Sequence, residues 1–150
     1  MRKRIVVTAG GGAVPAPVGM PVVLAVPASL EFVREARAEV GRWLGEQGVQ
    51  DADAVYQAKV IVSELVTNAI VHVGEEAGGT LELLLYRADA GPVVEVRDSS
   101  DVRPEPCPLD ASTVTGRGLA IVERLALAWG VNPLASGGKA VYAVLRTGSA

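Results

Sequence analysis

A chain of 150 residues has room for one domain with a proper core and little room for a second. Its residues are 49% hydrophobic and 21% charged, the composition of a soluble globular protein. A net charge of −3 with no stripe of Lys and Arg argues against nucleic acid as a direct partner, because neutralising phosphates takes clustered positive charge.

No charged residue lies between Arg4 and Glu31, a length that a membrane span or a signal sequence could have. Gly10 to Gly12, Gly19, Pro15, Pro17, Pro21 and Pro27 interrupt it, so it cannot stay helical in lipid, and no membrane contact is expected. Residues 1–21 read as an arm, extended or disordered, ahead of a domain at 22–150. Val22 to Val26, between two prolines, predicts a strand. Ser29 can cap a helix running to Gln47 and stopping at Gly48, with Leu30, Val33, Arg34, Arg37, Val40 and Leu44 as its amphipathic pattern. Asp51 or Asp53 starts a second helix that ends near Val73. Thr80 to Arg87 and Val93 to Arg97, joined through Ala90-Gly91, predict an antiparallel hairpin.

From Ser99 to Thr115 periodicity is lost among Pro104, Pro106 and Pro108, which marks a lid or binding loop. The one cysteine, Cys107, lies here; it allows no intramolecular disulfide and suggests a reducing, cytoplasmic compartment. Helical spacing returns from Gly116 to Trp129, and Lys139 to Arg146 predicts a last strand, with room for another near Val131. The order implies a two-layer α/β sandwich, a mixed sheet with helices on one face.

The second helix is too apolar for a surface helix. At about 100° per residue, Val55, Ala58, Val62, Leu65, Val66, Ala69 and Val73 share one broad face, while Gln57, Glu64, Asn68 and His72 fall on a narrower arc. Glu64, Asn68 and His72 thus stack one turn apart. Either that arc meets solvent, or an ion and its ligand satisfy its polar groups. Three further features bear on the choice. Asp98 ends a strand, where a carboxylate can accept hydrogen bonds from an amine. Gly116-Arg117-Gly118-Leu119 opens a helix with two glycines, so backbone N–H groups can approach an anion. Gly137-Gly138-Lys139 precedes the final strand.

In order and spacing, Glu64 to His72 (ELVTNAIVH), Asp98, Gly116 to Val122, and Trp129-Gly130 followed by Gly138-Lys139 resemble the N, G1 and G2 boxes of the GHKL ATPase superfamily. The likeness is greatest to its small anti-sigma-factor serine kinases, and it spans the chain from about Val22 onward. It implies a Bergerat-type fold holding ATP and Mg²⁺, with Asn68 on the metal and Glu64 as general base. Asp98 would read the adenine amino group, Gly116 and Gly118 would cradle phosphate, and Leu119 beside them would belong to the same cofactor-binding segment. Arg117 would reach phosphate or be solvated, and His72 would support the site.

Two positions depart from the pattern: Ser100 stands where a glycine usually follows the aspartate, and Ala140 where a threonine hydroxyl often lies near adenine. Losing such a hydroxyl would weaken binding by about 1 kcal/mol. The resemblance implies an ATP-dependent serine/threonine kinase acting on an anti-sigma antagonist, with a sigma factor as second partner and a homodimer as an assembly it allows. The alternative is a non-catalytic module that docks a partner.

Overall fold

The computed structural model describes residues 5–7, 15–73, 79–98, 114–135 and 137–148. In chain order they form β1 (Ile5–Val7), β2 (Val18–Pro27), α1 (Glu31–Glu46), α2 (Ala52–Val73), β3 (Thr80–Ala88), β4 (Gly91–Asp98), α3 (Val114–Leu125), β5 (Ala128–Pro133) and β6 (Lys139–Val144). The six strands make one sheet in the order β1-β5-β6-β4-β3-β2. β1 runs parallel to β5, and every other neighbouring pair is antiparallel. With the helices on one face, this is the two-layer α/β sandwich that the element order implies.

Local chemistry explains most boundaries. The Glu31 N–H donates to Ser29 Oγ at 3.3 Å, and α1 gives way at Gly48, whose φ is +83°. The Ala54 N–H donates to Asp51 Oδ1 at 2.9 Å, which makes Asp51 the cap of α2. Asp89 and Ala90 form a two-residue hairpin turn between β3 and β4.

Other boundaries differ from the sequence reading. Two stretches of the segment read as an arm are strands: Ile5–Val7 pairs with Trp129–Val131, and β2 begins at Val18, not Val22. Pro21 is no boundary. It lies in a register shift between Val18 and Val22 on an edge strand, where a residue without an N–H is tolerated. α3 ends at Leu125, so Trp129 belongs to β5 and not to the helix. On α1 the buried face is Phe32, Ala36, Val40, Trp43 and Leu44, while Leu30 is exposed.

Helix α2 is the centre of the core. By length and composition it could cross a bilayer, yet most of its apolar side chains are used inside the fold, with Tyr56 and Val71 exposed. Ala58, Ile61, Val62, Leu65, Val66 and Ala69 are buried in a cluster shared with α1, α3 and the inner sheet residues Leu83, Val94, Val96, Val141 and Ala143. Strand alternation sends Leu84, Tyr86, Val93, Tyr142 and Val144 to the opposite face, where they form a second buried cluster. Glu95 is buried on that face and accepts from Tyr86 Oη at 2.7 Å and Arg97 Nε at 2.6 Å. The same alternation places Asp98 and its cross-strand neighbour Lys139 on the helix side.

Candidate functional site

Asn68 is 4% exposed, and among the described residues neither its Oδ1 nor its Nδ2 has a hydrogen-bond partner. A solvated arc is therefore excluded for this residue. A buried amide left unpaired costs about 1–3 kcal/mol, and native proteins rarely leave such a group unused. One turn earlier, Glu64 is half-buried, and burial pushes its carboxyl above the ordinary glutamate range. A neutral amide oxygen and a carboxylate of raised basicity thus stand side by side on a rigid helix. Among the described residues no group of three His, Cys, Asp or Glu is placed to hold a metal by itself. A hard cation at Asn68 would need oxygens from its own ligand, as Mg²⁺ takes from a polyphosphate. Asn68→Ala is expected to raise stability without ligand by about 1 kcal/mol, since it removes the unpaired amide and favours helix. Denaturant unfolding measures this, and a loss of stability would show that the amide holds the fold together.

Helix α3 meets Glu64 at Gly118. A Cβ built on Gly118 would lie 2.6 Å from Glu64 Oε2, so only glycine lets the carboxylate pass over α3 there. Gly116 falls in the first turn, whose N–H groups have no intrahelical acceptor, the kind of donors that can hold an anion. Gly118 lies one turn in, where its N–H joins the helix ladder, so the two glycines have different surroundings. Leu119 is buried in the core and anchors the helix.

Asp98 and Lys139 form a buried ion pair: Nζ lies 3.0 Å from Oδ1, and the side chains are 2% and 1% exposed for Lys139 and Asp98. Gly137 and Gly138, with φ of +94° and +83°, shape the turn that sets Lys139 opposite Asp98. Sequence reasoning gave Lys139 no role; the only signal was its opposite charge just after the turn. The structure also changes the meaning of Ala140. Ala140 is paired with Arg97, on the sheet face turned away from the helices, so a hydroxyl there would not face Asp98. The position that faces Asp98 is Lys139. A cleft of about 480 Å³ opens at this end of the sheet between Pro27, Thr80, Arg97, Asp98 and Gly137. Glu64 and Asn68 do not line it.

His72 and Arg117 lie within α2 and α3, but their side chains fall outside the described residues. The same holds for the lid reading over Ser99 to Thr113, including Ser100; α3 begins at Val114, so Thr115 is helical. The structure therefore brings together Glu64 and Gly118, and it ties Asp98 to Lys139.

Residues 26–144 match the family model of the histidine kinase-like ATPase domain. The chain belongs to this family. No curated protein matches it. Among solved structures it is similar to the RsbU and RsbW domains of Rv1364c from Mycobacterium tuberculosis, with a TM-score of 0.61 and 22% identity over 85% of this chain. The match covers 33% of that longer chain. Membership in a histidine kinase-like ATPase family implies nucleotide binding, and the buried amide of Asn68 and helix α3 with Gly116 in its first turn both fit a nucleotide with its metal.

Proposed function

We propose that this histidine kinase-like ATPase domain binds Mg·ATP and passes the γ-phosphate to a serine or threonine hydroxyl of a protein antagonist, within a partner-switching system that controls a sigma factor. The reading rests on Asn68, whose buried amide has no partner among the described residues, on a helix that also carries Glu64. When bound, Mg²⁺ neutralises phosphate charge and orients the transferring group. Asn68 would offer that ion its Oδ1. Glu64 would take the proton from the attacking hydroxyl, a task suited to a carboxyl whose basicity burial has raised. The first turn of α3, with Gly116, would present N–H groups to phosphate oxygens. Asp98, held by Lys139, would accept from the adenine amine. The resemblance of Glu64 to His72, Asp98 and Gly116 to Val122 to the motifs of small anti-sigma-factor serine kinases supports a protein as the acceptor. The test is transfer from γ-labelled ATP to a small antagonist protein of sheet-and-helix build. No transfer to a partner that demonstrably binds would refute the kinase.

One observation favours the second reading, a docking module without transfer. Lys139 already occupies Asp98 Oδ1, the carboxylate that would read adenine, so the base has a competitor in the protein itself. Under that reading, partner binding is unchanged by ATP and by substitution of Glu64.

A further inference from the structure

We infer that Gly118 is a positioning residue for Glu64, lacking a side chain so that the Glu64 carboxylate can lie across α3, and not a phosphate contact. The inference rests on the reading of Glu64 as the base. The three atoms nearest to a Cβ built on Gly118 all belong to Glu64: Oε2 at 2.6 Å, Cδ at 3.4 Å and Cβ at 3.8 Å. The space in front of Gly118 is thus already filled, and what fills it is the carboxyl end of the proposed base. The helices cannot part to make room, because Leu65 of α2 and Leu119 and Val122 of α3 are all buried in the same core. Gly118 also stands one turn inside α3, so its N–H closes the helix ladder and is not among the orphan donors of the first turn. A methyl at 118 must therefore displace the flexible end of Glu64, with α2 and α3 left in place.

A reacting carboxylate moved by about 1 Å can lose on the order of 10²-fold in rate without any change in what binds. Gly118→Ala should accordingly lower kcat for phosphoryl transfer by about 10–10²-fold, with KM for ATP and the Kd of Mg·ATP held within about three-fold. In the Glu64→Gln background the same change should cost little further, since the group it displaces no longer acts. A loss of Mg·ATP affinity with kcat retained would overturn the inference and return Gly118 to the phosphates. So would an equal loss of kcat in both backgrounds. A thermal cycle tests the contact without any activity: Gly118→Ala should raise Tm more in a Glu64→Ala background than in the unaltered protein, because alanine's helix preference is then unopposed. Equal shifts would show that the two residues do not meet. If the unaltered protein transfers no phosphate, the base assignment fails, and the thermal cycle still decides the contact.

Discussion

Glu64→Gln is expected to lower phosphoryl transfer by about 10²–10⁴-fold, the usual contribution of a positioned general base, while Mg·ATP affinity stays within a few-fold. Gln matches Glu in size and leaves Asn68 in place, so binding and chemistry separate in one variant. The residual rate comes from positioning alone. The pH profile gives an independent check. Burial holds the Glu64 carboxyl above its ordinary value of 4.5, so transfer should rise with pH through that higher pKa. The sign for stability is opposite. A carboxyl whose folded pKa is raised contributes stability that is fully present below the unfolded pKa and is lost as pH rises through the folded one. Relative to Glu64→Gln, the unaltered protein should therefore lose stability from pH 4.5 upward. Transfer by Glu64→Gln at the unaltered rate would remove Glu64 from the chemistry.

The second large effect is expected at Lys139. Lys139→Met should destabilise the domain by about 3–5 kcal/mol, the cost of leaving a buried carboxylate without its counter-ion. Methionine fills a similar volume, so the loss reports on charge more than on packing. Adding Asp98→Leu should recover most of the stability, because a hydrophobic pair in place of a buried ion pair is often neutral or favourable. The double variant also separates roles: restored folding with lost adenine preference would mark Asp98 as the reader of the base. Chemical denaturation decides the matter, and a loss under about 1 kcal/mol for Lys139→Met would mean that the pair is solvated and weak.

The sheet-and-helix architecture was legible because hydrophobic period and turn chemistry agree over most of the chain. α2 reads correctly from Asp51 to Val73, and Ala90-Gly91 marks the hairpin to within one residue of its turn, Asp89-Ala90. Illegible features depended on contacts between distant residues. Angular spacing put Glu64 and Asn68 on one arc but could not say that neighbouring elements bury Asn68 to 4%. Trp129 continued a helical period after Leu125, and only its pairing with Ala143 of β6 and Ile5 of β1 makes it part of a strand. Ile5–Val7 is too short to announce itself, and its partner β5 lies more than a hundred residues on. The Asp98–Lys139 pair follows from strand register, which no single segment encodes. Ala140, a departure from the family pattern by sequence, falls on the far face by the same register.

The site stands or falls on Asn68, and isothermal calorimetry of ATP with and without Mg²⁺, on the unaltered protein and on Asn68→Ala, tests it most directly. The unaltered domain should bind ATP in a Mg²⁺-dependent manner, and Asn68→Ala should lose that binding while unfolding at the same or a higher denaturant concentration. Mg·ATP affinity that survives the substitution unchanged would contradict a nucleotide site built on this helix.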